Sequence, residues 1–250
     1  MSGGAAERRP TVSVVIPCKD DSAFLGVCLA ALSRQTRRAD EVIVVDNDSS
    51  DASAAVAEAA GAAVVWCAAP GIPAASSRGY DAAAGELILR MDADCIPGPL
   101  WIEEVIAAFE ARPDVSALTG PARFYDGPTV LRTPLAAAYL GAYALVSAAA
   151  LGHRPLFGSH LAMRAEAWEA VRDSVHREDP EIHDDMDLSF HLGGRHRVGY
   201  LRGGTKMGIS MRPFYDVGAL RRRFVRGIRT VTVHWPEDFP PYRWRRVLHR

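Results

Sequence analysis

"TVSVVIPCKDDSAFLGVCLAALSRQTRRADEVIVVDNDSSD", Thr11 to Asp51, changes hydrophobic period twice and back again. "TVSVVIP" is a short β-branched run, "SAFLGVCLAALSRQ" places Phe24, Leu25, Cys28, Leu29 and Leu32 at helical spacing, and "EVIVVD" returns to a strand. The same alternation continues. "DASAAVAEAAG" predicts a helix capped by Asp51 and stopped by Gly61, and "AAVVWC", "ELILRMD" and "VSALTG" predict further strands. Helical stretches over Ala74 to Ala84 and Leu100 to Ala111 lie between them. Strand and helix in alternation predict right-handed crossovers and an α/β fold with a mostly parallel, Rossmann-like sheet covered on both faces. Ligands of such a sheet gather beyond the C-terminal ends of its strands.

Acidic residues stand at those ends: Asp20 and Asp21 after the first strand, Asp46, Asn47 and Asp48 after the second, Asp92 and Asp94 after the fourth. In an extended segment, residues two apart point to one side, so Asp92 and Asp94 of "ILRMDADCIP" present two carboxylates to one ligand. Hard divalent cations take that donor set together with phosphate oxygens. A solvated loop with two aspartates is the ordinary alternative for such a pair alone.

Beyond Gly120 the pattern changes. "TPLAAAYLGAYALVSAAALG", Thr133 to Gly152, carries no charge over a bilayer-spanning length, but its alanines contribute little apolar area. It is expected to be an interior helix or one lying at a membrane surface. "LFGSHLAMRAEAWEAV" predicts a short extended piece running into a helix, and "HDDMDLSFHLGG" a helix from about Asp184 that ends at Gly193 and Gly194. "RVGYL" and "MGISM" are short strand candidates, followed by a basic helix near Val217 to Thr232. Acids in a first helical turn gain roughly 0.3 to 1 kcal/mol each from the helix dipole. Three of them, Asp184, Asp185 and Asp187, repel one another, and such crowding suits a general base.

Composition sets the outer bounds. The 250 residues are 48% hydrophobic and 24% charged with a net charge of -1, which excludes a disordered chain and any general attraction to nucleic acid. From Lys206 onward, eleven basic residues oppose three acids. The arginines of "ALRRRFVRGIRTVTVHW" interleave with Phe224, Val225, Ile228, Val231 and Trp235, a pattern that fits anionic lipid, a solvated face over a packed one, or an oligomer contact. Cys18, Cys28, Cys67 and Cys95 show neither pairing nor metal spacing, and "MSGGAAERRP" has no apolar core region; a cytoplasmic location is expected.

"VSVVIPCKDD", "EVIVVDNDSSD", "AASSRGYDAAAGELILRMDAD", "GSHLAMRAEAW" and "HDDMDLSFHL" resemble, in order and spacing, the motifs of family 2 glycosyltransferases with the GT-A fold. The resemblance runs from about Thr11 to Met211. It implies that Pro17 and Asp21 border the nucleotide base, that Asp46 recognises it, and that Arg78 stands next to the nucleotide. Asp92 and Asp94 match the DxD pair that holds Mg2+ or Mn2+, and Asp185 matches the catalytic carboxylate, with Asp184 in place of the usual glutamate. Gly158, Ser159 and His160 match a loop bordering sugar and acceptor. Gly79, Lys19 and His160 depart from the usual asparagine, tyrosine and asparagine. Met207 stands near where relatives place a metal-binding histidine, for which His234 is a candidate substitute and a packing residue the plainer alternative.

The resemblance implies an inverting enzyme that moves a sugar from a nucleoside-diphosphate donor, UDP by preference, to a hydroxyl acceptor on a small molecule, glycan or lipid. Composition and the resemblance together are expected to divide the chain into a disordered lead over 1–10, a nucleotide-side half over 11–120, an acceptor-side half over 121–212 and a basic helical extension over 213–250. Two alternatives stand beside it. A sugar-phosphate nucleotidyltransferase wants a glycine-rich basic loop where "PCKDDSAFLG" is acidic. A non-catalytic nucleotide-sugar-binding or scaffold protein would bind donor without turnover.

Overall fold

Four strands with almost wholly apolar sequences, β1 (Val12–Cys18), β2 (Glu41–Asp46), β3 (Ala63–Trp66) and β4 (Leu87–Arg90), pair in parallel in the order β3-β2-β1-β4. Every position of β1 and β4 is buried, as strands covered on both faces require, and this explains why their sequences are continuous rather than alternating. The computed structural model describes residues 9–248 apart from 203, 205 and 216. Most of the lead expected over residues 1–10 lies outside the described residues.

Three crossover helices, α1 (Ser22–Leu32), α2 (Ser53–Ala59) and α3 (Ile72–Ala82), connect these strands. Beyond β4 the sheet changes direction. β7 (Leu161–Arg164) pairs antiparallel with both β4 and β5 (Val115–Thr119), and β8 (Arg197–Tyr200) runs parallel to β5, completing seven strands in the order β3-β2-β1-β4-β7-β5-β8. A separate two-stranded ribbon pairs β6 (Ala122–Phe124) with β9 (Met207–Ile209) in parallel. The helices α4 (Trp101–Glu110), α5 (Arg132–Leu151), α6 (Ala165–Glu169), α7 (Asp184–Arg195), α8 (Val217–Val233) and α9 (Pro240–Leu248) complete the chain.

The core forms on both faces of the sheet. One cluster joins β1 and β4 to Leu25 and Leu29 of α1 and to Trp101, Ile106 and Phe109 of α4. The other joins Val15 and Ile88 to Ala75 and Tyr80 of α3 and to Leu188 and Leu192 of α7. Each Val, Leu, Ile or Phe side chain among these contributes about 1.5–3 kcal/mol on burial. Gly79 lets α3 approach the sheet: a Cβ there would lie 2.3 Å from Val15 Cγ1 and 2.8 Å from Val45 Cγ2, so the asparagine common in relatives has no room. All four cysteines are buried and unpaired.

Two expectations are corrected. The helix expected to end at Gly193 and Gly194 continues to Arg195. Gly193 serves close packing instead, since a Cβ there would lie 1.8 Å from His153 Nε2. Of the two alternatives for α5, interior or at a membrane surface, the interior one fails, because the helix lies on the outside of the protein: only Ala136, Ser147, Ala150 and Leu151 are buried, while Leu145 and Val146 are 75% and 68% exposed. Its length and hydropathy suffice to cross a bilayer. Alanine explains its one-sided seat, because a helix of small side chains needs only a narrow contact.

Candidate active site at the strand ends

The loops after β1, β2 and β4 open at one end of the sheet, and two of them use left-handed aspartates, Asp20 at φ 50° and Asp48 at φ 60°. Aspartate tolerates that region better than most residues because its short side chain bonds locally. Here Asp20 Oδ1 accepts from the backbone N–H and hydroxyl of Ser50 at 2.6 and 2.9 Å, which ties the first loop to the second and lowers the Asp20 pKa. Pro17, Asp21, Asp92, Asp94 and Ser159 line one cavity of about 290 Å3 at this end. A larger groove, about 890 Å3, lies along α4 and β8, where none of the predicted site residues stands.

Two arginines organise the acids. Arg90, the last residue of β4, is 2% exposed, and its Nη2 lies 2.9 Å from Asp92 Oδ1 and 3.4 Å from Asp184 Oδ2. Asp184 also accepts from the Ser76 hydroxyl at 2.9 Å, and Asp92 Oδ2 accepts from the Ser159 hydroxyl at 2.6 Å. Burial opposes the Arg90 charge, but Asp184 and Asp92 outweigh it and hold the guanidinium protonated. Burial raises Asp184, and the adjacent Asp185 and Asp92 add to the rise against the pull of Arg90. Gly158 makes the passage: a Cβ there would sit 1.6 Å from Arg90 Nη1.

Arg212 is the second organiser. It forms a fork with Asp21, with Nη1 to Oδ1 and Nη2 to Oδ2 both at 2.8 Å, and its Nη2 also reaches Asp94 Oδ2 at 2.8 Å. The guanidinium stacks over Phe24 at 4.0 Å. Burial raises Asp94, Asp92 raises it further, and Arg212 pulls it back. Asp185 sits at the first turn of α7, where its Oδ2 accepts the Gly158 backbone N–H at 2.9 Å and its Oδ1 accepts the Tyr143 hydroxyl at 3.3 Å. Burial pushes the Tyr143 pKa well up, so its O–H remains a donor to that carboxylate.

The sequence-predicted residues divide accordingly. Pro17, Asp21, Asp92, Asp94 and Ser159 meet at the cavity, and Arg90 ties Asp184, next to Asp185, to Asp92. Asp46 stands beside Cys18 in the β1–β2 register, is 9% exposed, and accepts the Ser49 N–H at 3.0 Å within its own loop. Arg78 is exposed on α3, next to the sheet-facing Gly79, and does not line the cavity. His160 is corrected to a packing residue. It is 1% exposed, with Nδ1 3.1 Å from the Pro121 carbonyl and its ring edge-on to Trp101, and burial lowers its pKa to about 4.

His234 is corrected as a substitute for the metal-binding histidine. Its Nε2 lies 3.2 Å from Asp187 Oδ1, in a cluster that includes neither Asp92 nor Asp94. Sequence reasoning missed Arg90, Arg212 and Tyr143. An arginine inside the otherwise apolar "ELILRMD" was a signal, because a charge in a strand buried on both faces needs a carboxylate partner. Nothing local distinguished Arg212 from its basic neighbours.

Asp92 and Asp94 fit a hard divalent cation by their chemistry: two carboxylates close together just beyond β4, one held by Arg90 and Ser159 and the other by Arg212. Residues 13–169 match the sequence model of Glycosyl transferase family 2, well over half of the chain. The chain belongs to that family. Among curated proteins it is 30% identical over 106 residues to glycosyltransferase AglE of Haloferax volcanii, covering 39% of this chain and 35% of that one. It is 27% identical over 135 residues to the putative glycosyltransferase EpsH of Bacillus subtilis, covering 52% and 39%. These matches thus span little more than a third of each relative.

The fold is that of solved GT-A glycosyltransferases. Glucosyl-3-phosphoglycerate synthase from Mycobacterium tuberculosis superposes with a TM-score of 0.62 at 21% identity, over 90% of this chain and 79% of that one. The same enzyme bound to Mn2+, UDP and glucosyl-3-phosphoglycerate gives 0.58 at 23% identity, over 85% and 76%. TarS of S. aureus gives 0.61 at 17% identity, over 84% and 38%.

Proposed function

We propose that this family 2 glycosyltransferase inverts the anomeric centre as it moves a sugar from a nucleoside-diphosphate donor, UDP by preference, to a hydroxyl acceptor. The observation that carries the reading is the buried Arg90 bridge. It ties Asp92 at the end of β4 to Asp184 at the start of α7, and so sets the donor-side acids against the neighbouring Asp185. Pro17 and Asp21 border the base with Asp46 behind them, and Arg78 stands near the nucleotide. Asp94 and Asp92 would hold Mg2+ or Mn2+, which when bound stabilises the negative charge of the departing diphosphate.

Asp185 receives the proton of the acceptor hydroxyl as its oxygen bonds to the anomeric carbon and the carbon–phosphate oxygen bond breaks on the opposite face. The Gly158 N–H and Tyr143 O–H orient that carboxylate toward the acceptor side. Thermal shift with UDP, GDP and dTDP, each with and without Mn2+, tests the donor site. A nucleotide at 100 times its dissociation constant stabilises the fold by about 2.7 kcal/mol. Metal-dependent stabilisation by one nucleotide, abolished in Asp94→Ala, supports the reading. Pyrophosphate release instead of sugar transfer favours a nucleotidyltransferase, and binding without turnover favours the scaffold alternative.

A membrane-near acceptor has its own observation. Phe224, Val225 and Ile228 of α8 are each more than half exposed beside exposed Arg221, Arg222 and Arg223, and α5 exposes Leu145 and Val146. Apolar side chains set among arginines suit the anionic inner face of a membrane, which also agrees with a cytoplasmic chain of free thiols. Liposome co-sedimentation at low and moderate salt tests this contact; no binding to anionic vesicles at low salt rejects it.

A further inference from the structure

Away from the donor cavity, three histidines surround one aspartate. Asp187 and His191 stand one turn apart on α7, His176 comes from the segment between α6 and α7, and His234 immediately follows α8. Asp187 Oδ1 lies 2.7 Å from His176 Nδ1, 3.2 Å from His234 Nε2 and 3.6 Å from His191 Nε2. One ligand atom from each residue lies within 4.8 Å of every other. Asp187 and His234 are 2% and 8% exposed.

Asp187 Oδ2 accepts the backbone N–H of His176 at 2.9 Å, so Oδ1 is the oxygen turned toward the rings. His234 Nδ1 is 2.7 Å from the Thr230 carbonyl, an acceptor only, and therefore carries the ring's proton. In the neutral ring, His234 Nε2 then aims a lone pair at a carboxylate oxygen. The Nε2 atoms of both His234 and His191 are buried without a hydrogen-bond partner. Lone pairs facing a carboxylate repel it, and a cation among them reverses the sign. An Nδ1–H on a backbone carbonyl with Nε2 turned to the centre is also the arrangement that fixes the tautomer of a metal-ligating imidazole.

The spacing identifies the cation. Zinc bonded at ~2.0–2.1 Å in a tetrahedron places ligand atoms about 3.3 Å apart and bound imidazole centroids about 5.2 Å apart. The Oδ1 distances of 2.7, 3.2 and 3.6 Å bracket the first value. The ring centroids, 5.1 Å for His176–His234, 5.2 Å for His191–His234 and 5.8 Å for His176–His191, sit close to the second. Three imidazoles and one carboxylate suit Zn2+, whereas Mg2+ and Mn2+ prefer oxygen donors.

We propose that His176, Asp187, His191 and His234 bind one Zn2+ in a closed tetrahedral site that fastens α8 and the α6–α7 segment to α7. Four protein ligands leave no position for substrate, so the role is structural. The ion would hold the helix whose first turn carries Asp184 and Asp185, and the inference stands without the transferase reading.

Metal analysis of the full chain, produced with zinc and dialysed extensively, is expected to give one Zn2+ per chain. The Co2+-substituted protein is expected to show the intense visible bands of tetrahedral cobalt. His191→Ala and His234→Ala should each lower retained zinc about tenfold or more, while Asp94→Asn retains it. A strong zinc chelator should lower the wild-type Tm, and added Zn2+ should restore it. No retained zinc together with no cobalt spectrum, a weak octahedral cobalt spectrum, or unchanged zinc in both histidine variants would each overturn the site. The wild-type cobalt spectrum decides alone if a variant does not fold.

Discussion

Val14 and Ile16 on β1 and Arg243 and Asp187 in the α7–α9 layer are all 2% exposed or less, yet their burial rests on different physics. The β1 side chains need only apolar neighbours, which any close-packed arrangement supplies. Arg243 is held by the carbonyls of Leu151 and Phe190 at 2.7 and 2.9 Å, by Asp238 at 3.1 Å, and by stacking over Phe190. Asp187 accepts the backbone N–H of His176 and is ringed by the imidazoles of His176, His191 and His234. The sheet is thus a non-directional core that tolerates change, and the helical layer behind α7 a directional one in which each group depends on a named partner.

The largest effect is expected at Asp185, the base of the proposed reaction, whose carboxylate is set by the Gly158 N–H and the Tyr143 hydroxyl. Asp185→Asn keeps the shape and removes the base, so turnover should fall about 10²- to 10⁴-fold in a sugar-transfer assay; a fall of only a few fold rejects the assignment. Next is Arg243→Ala, which takes the guanidinium away from the Leu151 and Phe190 carbonyls and leaves Asp238 with Arg246 alone. Denaturant unfolding should show a loss of about 2–5 kcal/mol from the emptied site of a fully buried side chain, against about 0.5–1.5 kcal/mol for Ile16→Val in the sheet. Equal losses would erase the distinction between the two regions.

Gly158→Ala tests the passage of Arg90. The new methyl must displace a guanidinium paired with Asp92 and Asp184, at a cost of about 1–3 kcal/mol. Transfer activity should fall with stability, because the Gly158 N–H on Asp185 moves too. A variant with wild-type stability and activity would show that the Arg90 bridge has slack.

His160 supplies the pH dependence. Its folded pKa is lowered to about 4 by burial, so the unfolded chain binds the proton first as pH falls through ~6.5. Stability is therefore full above that value and declines between about 6.5 and 4, by roughly 2 kcal/mol at pH 5 from this residue alone. His160→Asn should show a shallower decline in urea midpoints over the same interval; parallel profiles would mean the ring is solvated. Smallest of all is Arg229→Ala. Its ion pair with Asp179 at 2.7 Å is largely solvent-exposed on the arginine side, and its removal should cost less than about 1 kcal/mol.

Much of the donor side was legible in the chain. The β-branched runs of β1, β2 and β4 and the helical spacing of Leu25, Cys28 and Leu29 follow from periodicity, and the acids at the strand ends follow from where those runs stop. Asp92 and Asp94, and the cluster of Asp184, Asp185 and Asp187, stood out because acids at a strand end or helix start are a local pattern, whereas the choice of Asp185 within that cluster came from the resemblance. Arg78 and His160 lie off the cavity wall because neighbours in sequence need not share a face: Gly79 takes the sheet side of α3, and the ring of His160 turns toward Trp101 and Pro121.

The α/β alternation, the acidic strand ends and the apolar content of the core follow from the order of residues, since these depend on period and on each residue's own chemistry. The tertiary structure alone decided that β7 lies between β4 and β5, that Arg90 and Arg212 organise the acids, and that His234 joins Asp187 rather than Asp94. Those pairings span as many as 191 residues of chain, as between Asp21 and Arg212. Hydrophobic burial is read from single residues, whereas an ion pair, a shared proton or a ligand set exists only once folding brings distant side chains within hydrogen-bonding distance.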